Sequence, residues 1–348
     1  MPSPTITAVI PTYRRPKLLQ RAVESVLAQT YPHVKVFVSD NASGDETADV
    51  VRELSRRDPR VVYHSQPENI GATANFQYGM NAVDTEYFSL LSDDDFLLPD
   101  FYRTAVEALG RHPEARFFCG QVVRYEELLG THSLFPTRHW SEGLQPAGRR
   151  ARLMIEQHFV WTACVFHSGI LPQVGPLDSI HMGDILFLGK AAACFPFVVS
   201  LLPVAVFLET GVNASANMSI ADLRRCHEVM ERRSGELPNI TEEERQEIHG
   251  ILEWKIGVAA NAMLRNALEA GDWRRFEETA AFFQERGGLD FRRKLRVALA
   301  RRRGPGSLLF RLVGQLTRLS TGYKRMRKSR WRKLGLEDVV AFYSREGR

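Results

Sequence analysis

The sequence predicts an α/β fold, a mostly parallel sheet with helices on both faces, followed by a helical C-terminal region. Three observations predict it. Apolar, β-branched runs alternate with amphipathic helical stretches through the first 115 residues or so, the pattern of consecutive βαβ units. The runs are apolar almost throughout, as in strands covered on both faces. From residue 222 onward helical periodicity takes over.

The elements follow in order. Residues 5–13 (TITAVIPTY) form a first strand, rich in β-branched residues and stopped at Pro11. Residues 15–29 place Leu18, Leu19, Ala22, Val23, Val26 and Leu27 on one helical face, and Pro16 suits a first turn. Residues 34–40 (VKVFVSD) are a second strand. The helix of 44–57 starts with Asp45 as the expected N-cap and continues through Val50, Val51 and Leu54. A third strand at 60–65, a helix at 72–84 and a fourth strand at 86–91 complete this part. Residues 116–126 are a further strand. The stretch 130–150, rich in Gly, Pro, Ser, Thr and His, reads as an active-site or lid loop, and helical periodicity returns near 150–160. FPFVVSLLPVAVFL (195–208) reads as core strands: it is too short to span a bilayer and is broken by Pro196 and Pro203. Helices are expected at 222–234, 241–270 and 272–286.

The bulk numbers agree. The 348 residues suggest about two domains. With 44% apolar and 25% charged residues, the composition is that of an ordinary globular protein. Cys119, Cys164, Cys194 and Cys226 are widely spaced with no CxxC pair, so neither a zinc site nor a dense disulfide framework is expected. Reduced thiols and the absence of a leader pattern at the start of the chain suit a cytoplasmic protein.

In open α/β sheets ligands bind at the carboxyl ends of the strands. Those ends are here Pro11-Thr12-Tyr13, Asp40-Asn41 and Ser92-Asp93-Asp94-Asp95. Three consecutive acids between Leu90-Leu91 and Phe96-Leu97-Leu98 repel one another, the more so when buried. A divalent cation would relieve them, and Mg²⁺ or Mn²⁺ suits carboxylate oxygens better than Zn²⁺ does. The alternative is an acidic turn closing a strand, with Asp95 or Asp100 capping a helix.

Four segments in order resemble family 2 glycosyltransferases of GT-A fold. VIPTYRRPKLLQRAVESVLAQTYP (9–32) resembles the family's opening strand, turn and first helix. VFVSDNASGDET (36–47) resembles its acidic strand end and turn. NIGATANFQYG (69–79) resembles its N-x-G-x-x-x-x-N segment, and LLSDDDFLLPDF (90–101) its D-x-D region. The likeness is strongest over 5–110, extends to 215 and is absent beyond. It implies a catalytic domain at 1–220, with a nucleotide-sugar half at 1–115 and an acceptor half at 116–220, and a helical, basic region at 221–348.

The resemblance also implies roles. Pro11, Thr12, Tyr13 and Arg14 line the nucleotide end. Asp40 meets the base or ribose, since a carboxylate accepts from a ring N–H or a sugar hydroxyl. Asn69, Gly71 and Asn75 sit near the nucleotide, Gly71 letting backbone approach it. Asp93 and Asp94 face the donor, and Asp94 and Asp95 hold a divalent metal, Mn²⁺ or Mg²⁺. Ser92 stands where members often have the first acid. Measured back from Pro99, Asp94 aligns with the usual metal ligand, and Asp93 is placed to take over the missing role. Without the family, Asp40 reads equally as a turn former, Asn69 and Asn75 as loop closures, and Arg14 as a solvated helix-start residue.

Inverting sugar transfer needs charge stabilisation at the departing diphosphate and a base for the acceptor hydroxyl. VGPLDSIHMGDILFLGKAAA (174–193) resembles the segment in which the family keeps an acid before a helix behind the acceptor pocket. Asp184 is the candidate base, with N-capping as its alternative role and Asp178 and His181 as rivals. Gly183 replaces the first acid of the family's Glu-Asp pair. His158 and Trp161 are candidates for shaping the acceptor pocket. Asn213, Asn217 and Ser219 fall where members have a polar loop over the phosphates. The donor implied is a UDP- or dTDP-sugar and the acceptor a hydroxyl, with a lipid-linked glycan among the options. A non-catalytic sugar-nucleotide or glycan binder, or a membrane-docking assembly protein on the same fold, is the competing reading.

Residues 292–333 hold sixteen Lys or Arg and no acid, so the net charge of +5 divides into +16 there and −11 elsewhere. Basic residues interleaved with Leu, Val and Phe suit peripheral contact with an anionic membrane. Packing on the acidic body is the alternative for 292–303. No recognition motif accompanies the cluster, so nucleic acid is not expected.

Overall fold

The computed structural model describes residues 3–127, 130–135, 139–209, 218–286 and 338–341. The basic segment 292–333, Asn213 and Asn217 lie outside them.

The chain runs β1 (Ile6–Thr12), α1 (Pro16–Leu27), β2 (Val34–Asp40), α2 (Thr47–Arg57), β3 (Val61–Ser65), α3 (Ala72–Asn81) and β4 (Tyr87–Leu90). There follow β5 (Phe96–Leu97), α4 (Phe101–Arg111), β6 (Phe117–Glu126), β7 (Thr131–Leu134), β8 (Gly143–Gln145), α5 (Ala151–Glu156), a 3₁₀ turn (Trp161–Ala163) and β9 (Cys164–His167). A second 3₁₀ turn (Ser168–Ile170), α6 (Leu171–Val174), α7 (Gly183–Cys194) and β10 (Phe197–Glu209) come next, then α8 (Ile220–Gly235), α9 (Glu242–Ala270) and α10 (Trp273–Glu285).

One sheet carries the fold, in the order β3-β2-β1-β4-β9-β6-β10-β5, with β7 on β6 and β8 on β10. The expected parallel arrangement holds through β3-β2-β1-β4. Beyond β4 the sheet is mixed: β9 runs antiparallel to both β4 and β6, while β6 and β10 pair in parallel. Alternation of side chains covers both faces. Ala8, Ile10, Val36 and Val38 pack with Leu19, Val23 and Val26 of α1 and Val51 and Leu54 of α2. Val9, Phe88 and Leu90 point the other way, onto Met80 of α3 and Leu188 and Ala192 of α7. A separate apolar cluster joins Ile155, Ile185 and Leu186 to Leu223, Met230, Ile248, Leu252, Ile256 and Phe276, which seats the C-terminal helices on α5 and α7.

Three local expectations shift. Asp45 does not cap α2: it accepts from the Thr47 N–H and hydroxyl in a turn just ahead of the helix, and Glu46 takes the cap position. The 195–208 run is one bulged strand, with register shifts on either side of Pro203. A proline cannot donate to the ladder, so the bulge falls there. The stretch 130–150 carries the short strands β7 and β8 on the sheet's far side.

Candidate active site

In-register pairing brings the strand ends together. Thr12 lies beside Asp40, Asp40 beside Ser65, and Val9 beside Leu90, with the Leu91 N–H donating to the Val9 carbonyl. Every strand end singled out in the sequence therefore opens at one edge.

At the first of these ends the chain leaves β1 through a strained turn. Arg14 has φ +56° and Ala42, after β2, has φ +58°, a region costly for residues with a Cβ. The two loops hold each other. The Arg14 N–H donates to Ser43 Oγ at 2.8 Å and its Nε to the Ser43 carbonyl at 3.1 Å. Ser43 in turn donates through its N–H and hydroxyl to one oxygen of Asp40, and Tyr63 donates to the other at 2.7 Å. Burial and the Asp40 hydrogen bond push the Tyr63 phenol up to about 12. Tyr13 is exposed beside the Arg14 guanidinium.

Asn69 accepts from the Asn41 side chain and from the Gly71 N–H, both at 2.9 Å, which folds the loop ahead of α3. Gly71 has φ +85°, the left-handed side that glycine tolerates. Asn75 is turned to the sheet. Its amide donates to the Ser39 carbonyl and accepts from Ser39 Oγ, both at 2.7 Å. It anchors α3 to β2 from a buried position.

The three aspartates separate by environment. Asp93 accepts from Thr12 Oγ1 at 2.7 Å and from Arg15 Nη1 at 3.1 Å, and the same Nη1 reaches Asp94 at 3.0 Å. Burial pushes the Asp93 carboxyl up to about 6, with Arg15 and Thr12 opposing. Asp95 is fully enclosed. One oxygen accepts from Thr162 at 2.6 Å and the other from the Leu208 N–H at 3.1 Å. Burial and the neighbouring Asp94 raise its pKa. The expectation pairs Asp95 with Asp94 as metal ligands. In the structure the Asp95 carboxylate points into the junction of the 3₁₀ turn and β10, with both oxygens engaged. Asp94, with one oxygen on Arg15, keeps the other for a ligand.

The donor set fits a divalent cation at Asp93–Asp94. Two adjacent buried carboxylates share a single partly exposed guanidinium, and burial, with Asp94 beside it, raises the Asp93 pKa despite Arg15. Sequence reasoning misses Arg15, Arg21, Thr162, Ser43 and Tyr63. A signal exists for Arg15, which occupies the N-cap of α1, where a cation opposes the helix dipole. Arg21 donates to the Asp94 carbonyl at 3.1 Å and lies over Phe96. The partners of Asp95 arrive from 67 and 113 residues away, with no local pattern to announce them.

Asp184 belongs to a second charged group. It sits in the first turn of α7, where Met182 holds the cap position and no side chain caps the helix. Burial raises its pKa, opposed by backbone N–H groups at the helix start and by Lys255. Lys255 also feels Glu156, and it acts with burial to drive His158 down to about 3. The segment 158–162 runs from this group to the aspartates, ending at Thr162 on Asp95, with Trp161 against Phe76 of α3 at 4.6 Å. Gly183 is required locally, because a Cβ there would stand 2.5 Å from the Asp178 carbonyl oxygen. Of the rival bases, Asp178 is paired with Arg233 at 3.0 Å and His181 is exposed.

Comparison with known proteins agrees with this geometry. The sequence profile of Glycosyl transferase family 2 matches residues 7–175. Glycosyltransferase GlyA of Streptococcus pneumoniae is 29% identical over 125 residues, 36% of this chain and 18% of that protein. GalNAc(5)-diNAcBac-PP-undecaprenol beta-1,3-glucosyltransferase of Campylobacter jejuni is 31% identical over 105 residues, 30% of this chain and 34% of that protein. The matched parts thus span about a third or less of these two relatives. TarS of S. aureus, solved with UDP-GlcNAc, superposes with a TM-score of 0.58 at 15% identity, covering 91% of this chain and 92% of that one. Mannosyltransferase PcManGT of Pyrobaculum calidifontis, solved with GDP-Man and Mn²⁺, gives 0.51 at 16% identity, covering 94% and 87%. These likenesses show the GT-A fold with a helical C-terminal region.

Proposed function

We propose that this chain, which belongs to glycosyl transferase family 2 through residues 7–175, transfers a sugar from a UDP- or dTDP-sugar to an acceptor hydroxyl with inversion. One observation carries the reading: two buried, incompletely neutralised carboxylates, Asp93 and Asp94, lie at the carboxyl end of a parallel strand beside two interlocked, strained loops.

Asp40, with Ser43 and Tyr63 fixing its two oxygens, meets the base or ribose. Its Oδ1 is filled by the Ser43 N–H and hydroxyl, and Oδ2, which accepts from Tyr63 alone, retains lone-pair capacity for a donor N–H or O–H. Pro11, Thr12, Tyr13 and Arg14 line the nucleotide end, and Asn69 and Gly71 shape the facing loop. Asn75 acts by holding α3 in place. Asp94, with Asp93 beside it, would hold Mn²⁺ or Mg²⁺. When bound, such an ion stabilises the negative charge that develops on the leaving diphosphate. Arg15 supplies positive charge to the same carboxylates. Asp95 acts from within, tying the aspartate loop to Thr162 and β10. Asp184 takes the proton from the acceptor hydroxyl, and burial raises its pKa, the direction that makes a carboxylate a stronger base.

The acceptor favoured is a lipid-linked glycan, the class named in the Campylobacter relative, with residues 292–333 held at an anionic membrane surface. No helix among the described residues is long and apolar enough to cross a membrane, and the contact proposed is a peripheral one.

The test is a thermal-shift series with UDP, dTDP and GDP, each with and without Mn²⁺, followed by turnover of the matching nucleotide-sugar. A metal-dependent shift with UDP or dTDP is expected. Asp94→Asn and Asp184→Asn should fold and lose turnover. A chain that gives no shift with any nucleotide, or an Asp94→Asn chain with full turnover, overturns the reading.

A further inference from the structure

Away from the aspartates, α8 and α9 form an antiparallel pair that carries a second cluster of donor groups. His227 and Glu231 are one turn apart on α8, and His249 and Glu253 one turn apart on α9. The pairing is reciprocal. His227 Nε2 meets Glu253 Oε1, and Glu231 Oε1 meets His249 Nδ1 at 3.3 Å. Glu231 Oε2 lies 3.8 Å from His227 Nε2. One donor atom each from His227, Glu231 and Glu253 falls within a sphere of mutual distances no greater than 4.8 Å.

We infer that His227, Glu231 and Glu253 form a divalent-cation site of the zinc type that fastens α8 to α9. Three features point to a cation. First, the donor set is one imidazole nitrogen and two carboxylate oxygens, which suits zinc better than Mg²⁺. Tetrahedral zinc with bonds of about 2.1 Å has its ligand atoms about 3.4 Å apart, so the three donors close on an ion with small side-chain adjustments. Second, each carboxylate is already oriented from outside. Glu231 turns one oxygen toward His227 and the other to His249. Glu253 turns one toward His227 and the other to Arg286, which is itself steadied over Phe282. Outer partners that leave one oxygen of each carboxylate turned toward His227 Nε2, where the ion would sit, are the usual support of a metal site. Third, the cluster is reachable: the His227 side chain is 17% exposed and Glu231 47%, which leaves a fourth position for water. The spacing of the cysteines bears on thiolate sites alone, and none is used here.

The ion ties the C-terminal helical pair together. Arg233, the partner of Asp178 ahead of Asp184, lies on the same helix as His227. The site stands independently of the aspartates and of the proposed transfer reaction.

The experiment uses the full chain carrying Asp94→Asn, so that the aspartate triplet contributes little, stripped with chelator and equilibrated with ZnCl₂ alone. Equilibrium dialysis should find one zinc per chain, and zinc should raise the melting temperature. Adding Glu231→Gln should weaken zinc binding at least tenfold and abolish the zinc-dependent shift, with the circular dichroism spectrum retained. His227→Gln is the second variant should the first fold poorly. No zinc binding by the Asp94→Asn chain, or equal binding with and without a folded second substitution, refutes the site.

Discussion

Replacing Arg15 tests how the aspartate edge is held. Its guanidinium bridges Asp93 at 3.1 Å and Asp94 at 3.0 Å from a side chain that is 31% exposed, while the two carboxylates are nearly buried. Hydrogen bonds to charged groups contribute about 1.5–3 kcal/mol each, and partial exposure of Arg15 roughly halves that through solvent screening. Two such bonds give about 1.5–3 kcal/mol. A cap on the cost comes from Asp93 itself, already pushed up to about 6 with Arg15 present. Without the guanidinium it takes up a proton near neutral pH, and a tenfold change in its proton affinity is worth only about 1.4 kcal/mol. Arg15→Ala should therefore lower stability by about 2 kcal/mol in urea unfolding at neutral pH. Mn²⁺ should restore more stability to Arg15→Ala than it adds to the parent, because a cation between the carboxylates supplies the charge that was removed. A variant as stable as the parent, or an equal Mn²⁺ effect on both, would refute this account of the edge.

Other outcomes follow from single contacts. Asp95→Ala leaves the Thr162 hydroxyl and the Leu208 N–H without their acceptor and should cost about 2–4 kcal/mol. Asp95→Asn, which keeps an acceptor for Leu208, should cost less, as read by denaturant midpoint. Gly183→Ala drives a Cβ to 2.5 Å from the Asp178 carbonyl. It should lose about 2 kcal/mol and most turnover, because Asp184 moves with the helix start. His158, held near 3 by burial and Lys255, binds its proton mainly in the unfolded chain, so its contribution is full above about pH 6.5 and is lost as pH falls. It accounts for about 2 kcal/mol between pH 7 and pH 5. His158→Phe should flatten that part of the pH–stability curve, and an unchanged slope would refute the assignment.

Much of this protein is legible residue by residue. The apolar runs ending at Thr12, Asp40 and Leu90 announce parallel strands because period and composition are local properties of the chain. The position of the acids after such a run announces the site, since carboxyl ends of parallel strands open at one edge. The helices at 222–234 and 241–270 are visible from their periodicity: the structure lengthens the first to Ile220–Gly235 and starts the second one residue later, at Glu242.

Tertiary structure alone decided how the three adjacent aspartates differ. Side by side in sequence they are equivalent, yet Asp93 meets Thr12 and Arg15, Asp94 shares Arg15, and Asp95 turns inward to Thr162 and Leu208. It also decided that Asn75 faces the sheet and that His227, Glu231, His249 and Glu253 meet across two helices. The physical reason is the same in each case. Alternation and periodicity act over a few residues, whereas burial, charge compensation and hydrogen-bond partners depend on residues that packing brings together from far along the chain.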